Sequence, residues 1–277
     1  MTTRYAAFAE FERDGWRRVA GLYESTLAGL TARFGDLLLD AVGIERGQRL
    51  LDVACGPGFV TAAAAARGAS AMGLDFAPEM IRIAEKKFSG VEFRLGDAQE
   101  LPFPRATFDR VVMNFGVLHL PDPDRAFTEA RRVLRPGGRY GFTVWTSHDR
   151  NRGMGIVAEA AATHGAPPQG VPEGPDRLRF ADEAECRRSL AAAGFDPAAI
   201  RFTTHDLTWV IPGGSFLLDT QRDAAVRTAA VLRQQTPEQM ARIRRAVEAA
   251  VARYATPDGT GCAVPMAAHV ITAAPAD

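Results

Sequence analysis

Leu51-Asp52-Val53-Ala54-Cys55-Gly56-Pro57-Gly58 is the stretch on which the fold turns. Gln48–Val53 reads as a short buried strand that runs straight into a glycine turn, and Phe59–Arg67 reads as the helix that follows. Gly56 and Gly58 lack side chains, so the backbone of the turn can approach a ligand closely. The next strand, Ser70–Asp75, ends in an acidic residue at about the ~20-residue separation found in nucleotide-binding units, where a carboxylate can accept hydrogen bonds from ribose hydroxyls. Outward from there, a helix is entered by Pro78, and strands are expected at Val91–Leu95, Phe108–Phe115 and Arg139–Trp145. A helix at Asp124–Leu134 stops at Arg135-Pro136-Gly137-Gly138. Strands alternating with helices at this spacing predict an α/β fold, a doubly wound and mostly parallel sheet covered on both faces.

The flanks are helical. Residues 6–42 carry Phe8, Phe11, Val19, Leu22 and Leu30 at roughly helical spacing. Gly165–Pro175 reads as a loop, Asp182–Ala193 as a helix closed by Gly194, and Ile200–Ile211 and Ala263–Ala273 as strands. Between the last two lies a helical insertion, Ser215–Tyr254. Its second helix opens with Thr236-Pro237-Glu238-Gln239, a capping box with proline just inside. The stripe of Met240, Ile243, Val247, Val251 and Tyr254 on that helix is expected to pack against the sheet; a lid closing over a substrate is the sharper alternative. The expected organisation is an N-terminal helical cap (1–46), an α/β core (47–212), a lid insertion (213–258) and a last core strand (259–277).

Composition narrows the function classes. The 277 residues are 47% hydrophobic and 24% charged, which suits a folded chain with a sizeable core. The 33 basic and 33 acidic residues cancel, and a neutral chain lacks the electrostatic pull of a general nucleic-acid binder. All but two of the basic residues are arginines, which with the abundant alanine reads as codon bias. Cys55, Cys186 and Cys262 support neither a disulfide framework nor a zinc site. Met1–Glu10 has no secretory pattern, and no run of ~18 apolar residues is free of charges. A cytoplasmic location is expected.

On spacing alone, the glycine turn would also suit a nicotinamide dinucleotide. The dinucleotide fingerprint, however, needs a third glycine where this chain has Thr61. The neighbouring motifs decide between the readings. LDVACGPG (51–58), GLDFAPEM (73–80), GDAQEL (96–101), FDRVVMNF (108–115) and VLRPGG (133–138) stand in an order and at a spacing that resembles the class I S-adenosylmethionine-dependent methyltransferases. The resemblance covers about residues 47–146. It is nearest to the small-molecule branch that includes the ubiquinone and menaquinone C-methyltransferases.

The resemblance implies a Rossmann-like seven-stranded sheet and S-adenosyl-L-methionine as cofactor, with S-adenosyl-L-homocysteine as product. It implies that Asp52 holds the aminoacyl part through its amine, and that Ala54, Gly56 and Gly58 line the methionine and ribose portions. Asp75 would bind both ribose hydroxyls, with Phe76 and Met80 on the adenine. Asp97 would take the adenine amino group, supported by the amide of Ala98, and Asn114 would face the sulfonium and donor methyl. Ala77 stands where the family often has a helix-capping serine, a loss of ~1 kcal/mol in capping.

Each of these residues has a plainer role to set against the functional one. Asp75 could cap a helix, Phe76 and Met80 could be core, and Cys55 is expected to be a small packing residue.

Methyl transfer from a sulfonium is an in-line displacement in which alignment does most of the work. A base is needed only where the acceptor arrives protonated. Of five histidines, His119 and His148 fall in loops after the fourth and fifth strands and are the candidates; His205 and His269 lie inside strands. The fourth strand ends Asn114-Phe115-Gly116-Val117, without the paired prolines typical of enzymes that methylate base or amide nitrogens. The expected acceptor is therefore a small, partly apolar molecule methylated on oxygen or carbon, with no nucleic-acid partner and no membrane span. The alternative is an enzyme of the same fold that binds the sulfonium but catalyses another reaction, such as a cyclisation. A non-catalytic binding protein is a third reading, disfavoured because the cofactor motifs are intact. Oligomeric state is not legible in the sequence.

Overall fold

In the computed structural model, residues 5–276 are described; the ends of the first and last expected segments, and part of the stretch read for a leader, lie outside them. Seven strands form one sheet: β1 (Arg49–Val53), β2 (Ser70–Asp75), β3 (Glu92–Leu95), β4 (Phe108–Asn114), β5 (Leu134–Trp145), β6 (Arg201–Ile211) and β7 (Cys262–Ala273). Their order is β3-β2-β1-β4-β5-β7-β6, parallel except for β7, which runs antiparallel to both neighbours. The chain leaves β1 toward β2 and β3, then returns to pair β4 on the other side. That reversal puts a crevice at the carboxyl ends of β1 and β4, where ligands bind in open α/β sheets.

Alternation along the strands sorts the core. Leu50 and Val112 face α2 (Ala28–Val42) and α3 (Phe59–Ala66), where they meet Leu38, Val42, Val60 and Ala64. Leu51, Val53, Val111 and Met113 face the opposite layer, packed with Phe127 and Val133 of α5 (Pro123–Val133) and Leu190 of α7 (Glu183–Ala192). By the same parity Asp52 lies on the α3 side, beside the side chain of Thr61.

The structure refines the sequence reading in four places. β5 begins at Leu134, so Arg135-Pro136-Gly137-Gly138, expected as the stop between helix and strand, lies inside the strand. The helical span 6–42 is two helices, α1 (Ala6–Ser25) and α2, broken at Thr26-Leu27. There the Ser25 and Thr26 hydroxyls both donate to the Leu22 carbonyl and compete with the helical ladder. A helix not expected from sequence, α6 (Arg152–His164), starts where the Asn151 side chain accepts from the Met154 amide. The insertion between β6 and β7 has three helices, not two: α8 (Gly214–Ala224), α9 (Val226–Leu232) and α10 (Pro237–Ala252). The capping box of Thr236 and Gln239 opens α10 as expected. α4 (Pro78–Lys87) begins at Ala77, which makes no side-chain cap.

The α10 stripe is core. Ile243, Val247 and Val251 are buried against Ile156 and Val157 of α6, Leu217 of α8 and Val264 of β7. α1 and the α8–α9 junction cover the crevice instead. They approach closely at Gly15, where a Cβ would overlap Val226.

Candidate functional site

A cavity of about 1200 Å³, part of it open to solvent, lies at the carboxyl ends of β1, β2, β4 and β5. Its walls are mostly apolar, with Trp16 and Tyr23 of α1, Phe115 after β4 and Trp145 of β5. Phe115 and Trp145 stack with ring centres 3.9 Å apart.

The structure brings Ala54, Gly56, Asp75, Phe76, Met80, Asn114, His119 and His148 to this one cavity. A smaller recess beside it is lined by Asp52, Ala54, Gly56 and Asn114, and a shallow one by Asp75, Phe76, Asp97, Ala98 and His119. Gly58 lines none of the three. It is the residue before α3, at φ 84°, and Phe93 and Ala84 occupy the space its Cβ would need. Its lack of a side chain therefore serves packing beneath the turn. Asp97 is exposed and accepts from the Gln99 amide. The two strand ends are strained: Ala54 (φ 55°) and Phe115 (φ 56°) take the left-handed conformation that non-glycine residues rarely adopt. Strain of ~1–3 kcal/mol per residue is characteristic of ligand sites. Gly116, after β4, leaves the space that the Ala54 methyl fills.

Two buried carboxyls flank the glycine turn. Asp75 Oδ2 accepts from the Gly56 amide at 2.8 Å and Oδ1 from the Ala77 amide at 2.9 Å, so the carboxyl ties the glycine turn to the start of α4. Burial nonetheless outweighs these bonds and pushes its pKa up to about 6. Asp52 is fully buried, and its Oδ2 accepts from the Thr61 hydroxyl at 2.7 Å. The threonine that replaces the third fingerprint glycine is therefore the partner of the motif's carboxylate. Asp52 Oδ1 has no partner among the described residues. Burial first, and then the Asp75 charge, push Asp52 up to about 7. A buried carboxylate oxygen without a donor is costly and calls for a cation or N–H beside it.

Asn114 has both ends of its amide engaged: Nδ2 donates to the Thr31 carbonyl at 3.0 Å, and Oδ1 accepts from Thr143 at 2.7 Å. It joins α2 to β4 and β5 while its flank faces the cavity.

His119 lines the cavity from a 3₁₀ turn (Val117–His119), with Nδ1 2.9 Å from Glu12 Oε2. Glu12 is buried, and also accepts from Trp16 Nε1 at 3.1 Å and Arg227 Nε at 2.8 Å. Burial pushes the Glu12 carboxyl up, but His119 and Arg227 together outweigh it and hold it below the ordinary range. Arg227 also donates to the carbonyls of Leu118 and Pro175, so one buried cluster ties α1, the 3₁₀ turn and α9 together. Sequence reasoning missed Glu12. The signal was a carboxylate on the stripe Phe8-Glu12-Gly15-Val19, all four buried on one face of α1.

His148 follows β5, half-buried, and burial, then Arg177, lower its pKa below the ordinary imidazole value. Among the other histidines, His269 is packed on Phe202 and bonded to Thr204, with its pKa pushed down to about 4 mainly by burial. His205 lies in β6 and His164 ends α6. Cys55 is a buried free thiol in a packing cluster, and burial keeps it protonated.

Residues 51–142 match the methyltransferase domain family. A demethylmenaquinone methyltransferase of Renibacterium salmoninarum is 39% identical over 111 residues, 40% of this chain and 47% of that protein. The chain thus spans about half the length of the curated relatives it matches. Among solved structures, phosphoethanolamine N-methyltransferase 2 of Haemonchus contortus, in complex with phosphomonomethylethanolamine and S-adenosylhomocysteine, superposes with a TM-score of 0.55. It is 16% identical, with 96% of this chain and 60% of that one covered. The [4+2]-cyclase SpnF is 24% identical with a TM-score of 0.50, covering 89% of this chain and 82% of that one. These structural likenesses show the fold and not the reaction.

Proposed function

We propose that this chain, which carries a methyltransferase domain across residues 51–142, transfers a methyl group from S-adenosyl-L-methionine to oxygen or carbon of a small, partly apolar acceptor. The observation that carries the reading is the unpartnered Oδ1 of buried Asp52 beside the Gly56 turn, with Asp75 at the end of the neighbouring strand. A ligand with an ammonium group at one end and a ribose diol further along satisfies both carboxyls at once. Asp52 would take the ammonium, and Asp75 the diol with its remaining lone pairs. Met80 and Phe76 would flank the base, with Asp97 and Ala98 at its edge. When bound, the cofactor supplies an electrophilic methyl on a good leaving group.

The chain's own residues then have to exclude water, align the acceptor and remove a proton. Trp16, Tyr23, Phe115 and Trp145 supply the apolar walls. His119 is held by the Glu12 carboxylate at Nδ1, which leaves Nε2 free to receive the proton of a hydroxyl or activated carbon. His148, kept neutral by its surroundings, is the second group able to do so. The quinone-methylating relative supports a cyclic, partly apolar acceptor of this kind.

Titration calorimetry with S-adenosylhomocysteine tests the cofactor site. One equivalent is expected to bind to the wild type, and Asp75→Ala is expected to lose at least a hundredfold in affinity while still unfolding cooperatively. Equal affinity in the two proteins would overturn the assignment.

A further inference from the structure

Among the described residues, the cavity wall carries one cation that the fold does not satisfy. Its charged residues are Asp75, Arg177 and Arg227. Asp75 sits at the β2 end with both oxygens engaged by backbone amides. Arg227 spends its guanidinium on Glu12 and on the carbonyls of Leu118 and Pro175. Arg177 is half-buried and makes no hydrogen bond or ion pair among the described residues. Its sequence neighbour Asp176 is no substitute partner, because Asp176 is exposed and accepts from the Leu178 amide in its own turn. The arginines near it on the chain contrast with it: Arg179 pairs with Asp124 and Glu185, and Arg152 with Glu159. Burial and the Arg227 charge act against the protonated Arg177 and the Asp176 charge offsets them only in part, yet a guanidinium stays charged under any ordinary condition. A cation kept partly out of water without a partner is unfavourable until an anion reaches it.

Resting on the reading of this cavity as the acceptor site, we propose that Arg177 is a specificity residue, and that the acceptor carries an anionic oxygen group on an apolar body. The carboxylate, sulfonate or ionised phenol of such a molecule would meet the guanidinium fork. Its rings would lie among Leu178, Trp145, Phe115 and Leu118 on the same wall. Guanidinium–oxyanion pairs are charge-assisted and often bidentate, which fixes orientation as well as adding affinity. His148, whose pKa Arg177 helps to lower, shares this wall, so the anionic end would lie near a neutral imidazole.

The test uses two fluorescent probes with the same aromatic body, 8-anilinonaphthalene-1-sulfonate and the uncharged N-phenyl-1-naphthylamine. Each is titrated into the full chain as wild type, Arg177→Gln and Arg177→Lys, with S-adenosylhomocysteine affinity measured on the same samples. Arg177 gives up no internal bond and its isolated charge is unfavourable, so the variants are expected to unfold at the wild-type temperature or above it. The sulfonate probe should bind the wild type and weaken tenfold or more in Arg177→Gln, with Arg177→Lys intermediate. The neutral probe should change by less than twofold. Equal sulfonate affinity in wild type and Arg177→Gln, or parallel loss of both probes, would overturn the proposal even if S-adenosylhomocysteine binds normally. Failure of S-adenosylhomocysteine to bind the wild type would instead count against the proposed function.

Discussion

A threonine hydroxyl and a carboxylate, buried together, set the chemistry of the glycine turn. The Thr61 hydroxyl donates to buried Asp52, so Thr61→Val should lower stability by ~1–3 kcal/mol, the usual cost of stranding a buried polar group. Chemical denaturation would measure it, and an unchanged midpoint would mean that Asp52 relies on something else. Asp52 and Asp75 hold their protons more tightly folded than unfolded, with pKa values near 7 and 6. Their contribution to stability is therefore present below the ordinary carboxylate range and is lost as pH rises through about 6 and then 7. A ligand that presents an ammonium to Asp52 prefers the ionised form. S-adenosylhomocysteine affinity should accordingly rise between pH 5.5 and 7.5, with protons released on binding. Calorimetry in buffers of different ionisation enthalpy reads that release directly, and proton uptake would contradict it. At the acceptor end, His119→Ala should lower turnover by a factor of ~10²–10⁴ if its Nε2 takes the proton. S-adenosylhomocysteine affinity should be unchanged in that variant.

Among the elements, the strands and helices of the α/β core were legible because each is bounded by its own punctuation. Pro78 opens one helix, Asp122 and Pro123 open another, and the glycine turn follows β1. α6 was not, because its start depends on Asn151 capping and its buried face sets only Ile156 and Val157 among the small residues Gly153, Gly155 and Ala160, a short hydrophobic signal. The cofactor half of the site could be read because its residues lie in contiguous motifs. Of the proposed acceptor half only His119 and His148 could: Glu12, Arg177 and Arg227 are far apart in sequence and come together through tertiary packing. Glu12 joins α1 to the rest of the cover, and removing one partner of a buried ion pair leaves the other uncompensated. Glu12→Ala should destabilise the protein by ~3–5 kcal/mol and speed amide exchange across α1, while an α1 as protected as in the wild type would show that the cover is held by apolar contacts alone. The stripe on α10 makes the opposite prediction. Ile243→Ala should lose ~2–5 kcal/mol of stability with S-adenosylhomocysteine affinity intact, since that face packs on α6, α8 and β7 away from the cavity.

Across the whole molecule, one sheet supplies both halves of the site. The reversal of strand order at β1 and β4 opens the crevice, and helices from both ends of the chain, α1 and the α8–α9 pair, cover it. Balanced charge means that nothing in the bulk field favours a polyanion. Among the described residues, no helix is long and apolar enough to cross a membrane. The cavity walls carry apolar rings, a carboxylate-held histidine and an arginine with no partner among the described residues. The fold is shared with enzymes that methylate and with one named as a cyclase, so the central claim is the transfer itself. The most direct test is to incubate methyl-labelled S-adenosylmethionine with a small-molecule extract of the source organism and the protein. A labelled organic product should form together with S-adenosylhomocysteine, absent without protein and absent with Asp75→Ala. Bound cofactor that yields neither a labelled product nor S-adenosylhomocysteine would contradict methyl transfer.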